Sequence, residues 1–317
     1  MDGIAKNEDG GAAWKFRCRR SLKRMGKWTV NGIGSISRLL GGHAGGAFGI
    51  LIYHRVTPRP AGAPAPTWNV TPTDLRAQLK GLLTRGYRAW PLRKVLDFNR
   101  QGRPIPPRTF VVTFDDGYEN NYSQAWPVLR ELEVPATIFV ATAYLDGVAP
   151  FPCDDWPAAG SPDVPVDSWR PLTTRQCAEM LEHGLIDLGS HTHTHDCFRG
   201  RPEAFAQDVA ASLDVLRTRF GLTDATFAFP FGIVEPALVA AARRAGLLCA
   251  LSSRDQLNPP HSDPFTWGRL TAEESDTDSI LATKLDGWYS RARGAWRRLL
   301  GSAMADEQTS AAPAEAL

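Results

Sequence analysis

The chain has 317 residues, 43% of them apolar, which is enough for one large α/β barrel or two ordinary domains. Its formal net charge of +2 is too small to indicate a nucleic-acid partner, and its five scattered cysteines include no CxxC pair that would indicate a zinc knuckle. No run reaches about 18 apolar residues, and the N-terminus lacks the features of a secretory signal. We therefore expect a cytoplasmic protein without a membrane span.

Residues 1–45 are predicted to be a partly disordered N-terminal extension. Within it, residues 14–30 carry seven lysines and arginines and no acid, with apolar residues at helical spacing. This pattern predicts a basic amphipathic helix with interfacial tryptophans. Two interpretations stay open: the helix contacts an anionic membrane surface, which would make the protein membrane-associated, or it packs on the rest of the protein.

Strands and helices alternate from Phe48 onward. The predicted strands are 48–56, 87–90, 109–112, 136–140, 185–188, 225–229 and 247–251. The predicted helices are 71–86, 92–98, 119–132, 173–183, 202–219, 235–245 and 278–300. This alternation indicates a mainly parallel, barrel-like α/β sheet of about seven strands with N- and C-terminal helical extensions.

The expected domain organisation follows from this order. Residues 46–275 form the main domain, residues 276–300 a C-terminal amphipathic helix, and residues 301–317 a disordered tail. Residues 145–172 are rich in proline and aspartate and carry two tryptophans. A loop of this length in a compact domain is usually functional, so we expect a lid over the open end of the barrel.

Two adjacent carboxylates follow the strand around 109–112. Asp115 and Asp116 precede Gly117, which permits a sharp turn into the next helix. Two carboxylates at the end of a buried strand are costly unless their charge is compensated. An ordinary turn is the alternative, but the carboxyl ends of parallel strands are common places for chemistry.

A histidine cluster follows the strand around 185–188. His191, His193 and His195 account for three of the seven histidines. A surface cluster is the alternative interpretation, but the position after an apolar run argues against it. Imidazole nitrogens suit zinc and related divalent ions. The aspartate pair and this cluster lie at comparable strand ends, so they can converge on one rim.

Three motifs in this order, TFDDG (113–117), SHTHTH (190–195) and FAFPFG (227–232), resemble the polysaccharide deacetylases, carbohydrate esterase family 4 with the NodB homology domain. YHRV (53–56) and the pattern around 79–87 resemble the family's poly-N-acetylglucosamine deacetylase-like branch. The resemblance covers roughly residues 48–270. It implies a distorted, TIM-like (β/α) barrel and metal-dependent removal of acetyl groups from sugars, usually with zinc.

The resemblance also implies roles for individual residues. Asp116, His191 and His195 match the metal ligands, and Asp115 matches the general base. His193 falls at a variable position and is not expected to be a ligand, whereas Thr192 matches a residue that orients the loop. The remaining expectation is that the backbone N–H of Phe231 helps to hold the oxyanion.

The chain departs from the family pattern in two places. An arginine often stands four residues before the phenylalanine of the third motif, where this chain has Thr223, so we expect Arg269 to supply that charge. The late Leu-x-His motif that carries the general acid is missing. We expect His54, on the first strand, to replace it, with His261 as the second choice and a structural role for His54 as the alternative.

Aromatic side chains are expected to line a sugar groove, although core packing is the alternative for each one. The candidates are Tyr118, Trp156, Trp169, Phe231 and Trp267. The resulting hypothesis is a hydrolase that removes acetyl groups from N-acetylated amino sugars in a polysaccharide, an oligosaccharide or a lipid-linked glycan. The alternatives are an O-acetyl esterase or cyclic-amide hydrolase with the same site, or a non-catalytic carbohydrate-binding relative.

Overall fold

The structure is a computed structural model that describes residues 46–287. Residues 44–285 form one compact unit, and the second unit, residues 1–43 with 286–317, falls almost entirely outside the described residues. The predicted basic helix 14–30 and the predicted tail 301–317 also lie outside them. Within the described part, no helix combines the length and the apolar character needed to cross a membrane.

The strands carry short apolar runs, as expected for a buried parallel sheet. They are β1 (Gly49–Tyr53), β2 (Arg88–Ala89), β3 (Thr109–Phe114), β4 (Ala136–Val140), β5 (Ile186–Ser190), β6 (Phe227–Ala228), β7 (Ala250–Leu251) and β8 (Leu270–Thr271). The α-helices are α1 (Pro72–Thr84), α2 (Leu92–Arg100), α3 (Trp126–Glu131), α4 (Thr174–Glu182), α5 (Pro202–Phe220), α6 (Pro236–Arg244) and α7 (Asp278–Leu285).

Every strand pairing in the sheet is parallel, in the order β7-β6-β5-β4-β3-β1-β8, with β2 added to β3. In register, Tyr53 of β1 lies beside Phe114 of β3, and Val140 of β4 lies beside Ser190 of β5. The strands therefore end at one edge, and the segments that follow them meet there. The sheet curls into a half-barrel surrounded by helices, which confirms the predicted α/β distorted barrel.

The edges of the sheet meet through irregular backbone. Among the described strands, β7 and β8 form no ladder with each other, so the expected closure is not made by strand pairing. Instead, the Ser252 N–H donates to the Trp267 carbonyl at 2.8 Å, and the Arg269 N–H donates to the Arg254 carbonyl at 2.9 Å. These bonds bring the segment before β8, including Arg269, to the segment after β7.

Apolar residues pack on both faces of the sheet. Along β1, Leu51 and Tyr53 belong to one buried cluster, whereas Phe48 and Ile50 belong to another that includes residues of α2. Alternate side chains of a strand point to opposite faces, so β1, β3, β4, β6 and β7 each contribute to both clusters. This double burial explains why the strands appear in the sequence as nearly continuous apolar runs.

Helix boundaries follow local signals in the sequence. Thr71 caps α1 by accepting a hydrogen bond from the Asp74 N–H, with Pro72 in the first turn. Thr173 and Gln176 form a capping box at the start of α4. The predicted helix 278–300 is shorter where it is described: α7 ends at Leu285, and Gly287 follows with φ 77°.

Candidate active site

The candidate active site lies at the carboxyl ends of β1, β3, β5 and β6. Asp115 follows β3, and its N–H donates to the Tyr53 carbonyl at 3.0 Å, which holds it against the end of β1. Asp116 and Gly117 then adopt φ values of 71° and 83° and turn the chain away from the sheet. A Cβ at Gly117 would lie 2.9 Å from a methyl carbon of Val140. Both this close contact and the positive φ therefore require glycine at this position.

The histidine segment is fixed from both sides. The His191 N–H donates to the Val140 carbonyl at 3.0 Å, and the hydroxyl of Thr192 accepts the His195 N–H at 3.0 Å. The His191 Nδ1 lies 2.8 Å from the Ala228 carbonyl, which can only accept a hydrogen bond. Nδ1 therefore carries the proton, and the lone pair of Nε2 faces the site. Thr192 thus takes the predicted loop-orienting place.

Asp116, His191 and His195 form a compact donor set. The Asp116 Oδ1 lies 3.5 Å from the His191 Nε2 and 3.3 Å from the His195 Nε2, and the three ligand atoms lie within 4.8 Å of one another. One carboxylate oxygen and two imidazole nitrogens suit a zinc-type divalent ion and leave positions for water or substrate. The hydrogen bond from His191 to Ala228 is the outer contact that orients a metal-binding imidazole. These residues fit a metal of this type.

The charges of this donor set depend on one another. Burial alone would lower the pKa of His195, but the hydrogen bond with Asp116 and the charge of that carboxylate raise it to about 10. Burial alone would raise the pKa of Asp116, but the two histidines hold it well below its ordinary value. In the metal-free protein, the site therefore holds an ionised carboxylate beside a protonated imidazole. A metal ion would take the place of that proton.

Arg269 binds both carboxylate oxygens of Asp115. Its Nη1 donates to Oδ1 at 2.6 Å and its Nη2 donates to Oδ2 at 2.7 Å. Both side chains are almost completely buried, and Arg269 Nε also donates to the Ser252 carbonyl at 3.1 Å. Although burial alone would raise the pKa of Asp115, the arginine lowers it below its ordinary value. The structure thus places Arg269 where the sequence analysis expected a compensating charge.

His54 follows β1 directly, and Asp115 follows β3, whose last residue, Phe114, is paired with Tyr53 of β1. The amide of Asn121 donates to its backbone carbonyl at 2.8 Å. Burial lowers the pKa of His54 below its ordinary value, although the charges of Asp116 and Asp115 raise it. The structure therefore brings His54 to the site. His261, the second choice, is exposed and lies near Gly102, on the segment that leads into β3, and so does not join this edge.

The two other predicted substrate contacts have different surroundings. Phe231 follows β6 in a left-handed turn with φ 57°, is 57% exposed, and places its ring 4.7 Å from that of His195. Tyr118 is only 5% exposed, and its ring packs on Phe151 and under the Arg55 guanidinium. Burial raises the pKa of the Tyr118 hydroxyl well above its ordinary value. Phe231 therefore lies on the open rim, whereas Tyr118 supports the loop above it.

The histidine between the two candidate ligands points elsewhere. His193 Nδ1 lies 2.9 Å from the Thr142 hydroxyl, and the His193 N–H donates to Asp208. His193 is absent from the candidate donor set of Asp116, His191 and His195.

The predicted lid, residues 145–172, is held to the rim by Arg55. The guanidinium of Arg55 forms a fully buried ion pair with Asp154 and donates from Nε to the Ser168 carbonyl at 2.7 Å. It also lies 4.3 Å from the centre of the Tyr118 ring and 5.1 Å from that of Trp156. Asp154 is therefore a buried structural partner of Arg55.

Besides Tyr118, three of the predicted groove aromatics are buried. Trp156, Trp169 and Trp267 are 2%, 8% and 1% exposed. Trp156 and Trp169 form a small core within the loop, and Trp267 packs edge-on against Phe48. The prediction that these rings line a sugar groove is therefore wrong, because none offers an open face in this structure.

The sequence analysis missed Trp68, which is 64% exposed and whose ring lies tilted against that of His54, with ring centres 5.5 Å apart. Its place in the loop that follows the first strand was the available signal.

Five of the nine described non-glycine residues with positive φ belong to this rim, which agrees with the tendency of backbone strain to gather at functional sites. They are Trp68, Asp116, Thr192, His195 and Phe231.

The family model for polysaccharide deacetylases matches residues 102–250 of this chain. The matched segment contains both aspartates and the three histidines of the cluster, whereas His54 and Arg269 lie outside it. The poly-beta-1,6-N-acetyl-D-glucosamine N-deacetylase of Staphylococcus epidermidis is 23% identical over 230 residues, which cover 70% of this chain and 73% of that protein. The Staphylococcus aureus protein of the same name is 22% identical over 233 residues, or 71% and 74%.

Solved structures share the fold. The Streptococcus pyogenes deacetylase PplD, in complex with acetate, superimposes with a TM-score of 0.63 at 18% identity, covering 75% of this chain and 98% of that one. IcaB from Ammonifex degensii gives a TM-score of 0.61 at 24% identity, covering 76% and 96%. Residues 102–250 therefore form a polysaccharide deacetylase domain, and the chain is similar to the poly-N-acetylglucosamine deacetylases.

Proposed function

We propose that this protein is a metal-dependent N-deacetylase that releases acetate from an N-acetylated amino-sugar glycan. The observation that carries the proposal is the division of two neighbouring carboxylates between two sets of partners. Asp116 faces His191 and His195, whereas Asp115 is held by Arg269. An ordinary turn needs neither set of partners, and a binding module has no need for a second, separately held carboxylate. The names of the staphylococcal relatives support the same activity.

Asp116, His191 and His195 would hold the metal, with zinc as the first choice from the donor atoms. When bound, the metal would activate the attacking water and polarise the acetyl carbonyl. His191 contributes a fixed Nε2 because its Nδ1 proton is engaged by the Ala228 carbonyl. His195 has to release its proton before it can bind a metal, since its pKa is raised to about 10.

Asp115 is the proposed general base. Arg269 keeps it ionised at neutral pH, because the arginine stabilises the charged form of the carboxylate. Each carboxylate oxygen accepts one hydrogen bond from Arg269 and retains a second lone pair that can receive a proton from water. The same ion pair fixes the direction of the carboxylate, so the base is oriented before substrate arrives.

His54 is the proposed general acid that protonates the leaving amine. It follows β1 at the edge where Asp115 follows the paired strand β3. Its lowered pKa makes the protonated imidazole a stronger acid, while less of it is protonated at neutral pH. The backbone N–H of Phe231 is the proposed second donor to the oxyanion. Removal of one such donor typically costs about 3–4 kcal/mol of barrier.

Acetate release is the direct test. Protein stripped with a chelator and reloaded with zinc is incubated with β-1,6-linked N-acetylglucosamine oligomers, and free acetate and new amines are measured. We expect both products in equal amounts from the reloaded protein and neither from the stripped protein. Absence of acetate from every acetylated glycan would refute the proposal, and acetate without new amines would indicate an O-acetyl esterase instead.

Asp115→Asn separates the proposed roles of the two aspartates. The variant should lose turnover while it retains the metal, because only Asp116 is a proposed ligand. Asp116→Asn should lose metal and turnover together. Loss of metal from folded Asp115→Asn would show that the two roles are assigned incorrectly.

Two further parts of the proposal concern where the protein acts. A cytoplasmic location at the membrane face would suit a lipid-linked glycan, and the basic segment 14–30 is the proposed contact. Full-length protein should then sediment with anionic liposomes at low salt and be released at high salt. Equal sedimentation with neutral and anionic liposomes, or none with either, would remove the membrane contact from the proposal.

A further inference from the structure

Two exposed aromatic rings stand on opposite sides of the candidate site. Trp68 and Phe231 are 64% and 57% exposed, and within residues 46–287 they are the aromatic side chains that are mainly open to solvent. Each contacts a histidine of the site: Trp68 lies against His54, and Phe231 lies against His195. Large aromatic side chains left open beside a polar site indicate a binding surface, since burial would otherwise be favourable.

The sheet order separates the two rings. Trp68 is joined to the segment after β1, because the Arg55 N–H donates to its carbonyl at 3.2 Å, whereas Phe231 follows β6. In the order β6-β5-β4-β3-β1, the strands that carry the candidate metal ligands lie between them. A ligand whose acetyl group reaches Asp116 therefore has an aromatic ring on each flank.

The backbone holds Trp68 in a fixed position. The preceding carbonyl, of Thr67, accepts a hydrogen bond from Arg55 at 3.0 Å. The following residue, Asn69, exchanges two side-chain hydrogen bonds of 2.9 Å with the backbone of Thr57. Trp68 itself has φ 51°, a conformation that is uncommon for a bulky residue. These hydrogen bonds hold the strained turn in place, and the turn directs the Trp68 side chain outward over His54.

The exposed indole of Trp68 is chemically suited to bind the flat face of a sugar ring. The face of an aromatic ring is electron-rich, and it attracts the weakly positive C–H groups on the flat side of a pyranose. Because the ring is held in place before binding, little conformational entropy is lost when a sugar stacks on it. Trp68 lies next to the proposed general acid, which would donate a proton to the leaving amine. The described ring contact of Trp68 is with His54 and not with any member of the donor set of Asp116, His191 and His195. A sugar stacked on Trp68 would therefore lie to one side of the acetyl group, which is the place of a neighbouring unit in the chain.

We propose that Trp68 forms a subsite for the sugar unit adjacent to the acetylated one, so that the protein favours a glycan chain over a single N-acetyl sugar. This inference rests on the proposed deacetylase function and specifies its substrate. The subsite would contribute to the binding of longer substrates and not to the chemical step.

Chain-length profiles test the subsite. Acetate release is measured for N-acetylglucosamine and for its β-1,6-linked dimer to hexamer, with zinc-loaded wild type, Trp68→Ala and Trp68→Phe. In wild type, kcat/KM should rise with length and then level off. Trp68→Ala should lose roughly tenfold on the pentamer, mainly through KM, while its activity on the monomer stays within about twofold. Trp68→Phe should regain most of the loss. Val148→Ala, which removes another exposed apolar side chain, should match wild type.

A binding measurement without turnover accompanies the kinetics. Calorimetric titration of chelator-treated wild type and Trp68→Ala with the monomer and the pentamer should show weaker pentamer binding in the variant alone. The inference is overturned if wild type shows no preference for length, if Trp68→Ala behaves like wild type, or if the variant loses activity equally at every length. Inactivity of wild type on all substrates would refute the deacetylase proposal, and the titration would still decide whether Trp68 binds sugar.

Discussion

Arg269 forms a two-point ion pair with Asp115, with N–O distances of 2.6 and 2.7 Å across 154 residues of sequence. The pair is buried, so the removal of either partner would leave an uncompensated charge in the protein interior. It also sets the ionisation of the proposed base. This relationship leads to the first of five predictions about the site and its support.

Arg269→Lys should keep the charge but lose the two-point geometry, and kcat should fall by roughly ten- to a hundredfold. Because Arg269 lowers the pKa of Asp115, a weaker partner raises that pKa, and the acid limb of the pH–activity profile should move to higher pH. Arg254→Lys, at an exposed arginine nearby, is the matched control. An unchanged acid limb in folded Arg269→Lys would exclude Asp115 as the group that titrates in this limb.

Metal binding should release a proton. Since the pKa of His195 is raised to about 10, a metal has to displace that proton at neutral pH. The apparent affinity for the metal should therefore rise about tenfold with each unit of increasing pH, up to about pH 10. Titration calorimetry in buffers of different ionisation enthalpy measures the proton count. His195→Ala and His191→Ala should lose the metal, whereas His193→Ala should retain it, because its ring is bonded to Thr142. Retention of metal by His195→Ala would contradict the donor set.

The stability of the metal-free protein should fall as the pH rises, whereas its affinity for the metal should increase. The pKa of His195 rises from its ordinary value of 6.5 to about 10 on folding, so its contribution is fully present below 6.5 and is lost as the pH rises through about 10. Urea denaturation of stripped protein between pH 6 and 10 measures the loss. His195→Gln should flatten this dependence, and an equal slope in the variant would assign the effect to another group.

Substitution of His54 should separate catalysis from metal binding. His54→Gln should lower kcat by roughly a hundred- to ten-thousandfold, because general acid catalysis is typically worth that much, while the metal content stays unchanged. His261→Gln is the matched control, since that histidine is exposed and lies near Gly102. If an amide substrate and an ester with a much better leaving group lose activity equally in His54→Gln, protonation of the leaving group is not the role of His54.

The buried ion pair between Arg55 and Asp154 should hold the loop 145–172 in place. Asp154→Asn removes one charge of a pair whose two side chains are each 1% exposed, and such changes cost about 3–5 kcal/mol. Chemical denaturation measures this loss, and limited proteolysis should show faster cleavage within the loop. Asp163→Asn, in an exposed part of the same loop, should leave both unchanged. Unaltered stability of Asp154→Asn would show that the loop is held by its apolar core alone.

Much of the fold and the centre of the site could be predicted from the sequence because the signals are local. Apolar runs with turn residues between them indicated the strands, and alternation with helices indicated a parallel sheet. The carboxyl ends of parallel strands share one edge, so residues that follow two of these strands can meet. This reasoning and the motif resemblance together brought Asp115, Asp116, His191 and His195 to one place.

Other features depend on contacts between residues that are distant in the sequence. The segment that carries Arg269 reaches Asp115 because its backbone bonds to the segment after β7, and no local pattern encodes that closure. Burial likewise depends on which surfaces the folded chain covers. Trp156 and Trp169 are enclosed by their own loop, whereas Trp68 is held outward by the hydrogen bonds of its neighbours. The sequence determined the candidate metal ligands and the proposed base. The tertiary structure decided how Arg269 reaches that base and which aromatic ring stays open, because both depend on long-range packing.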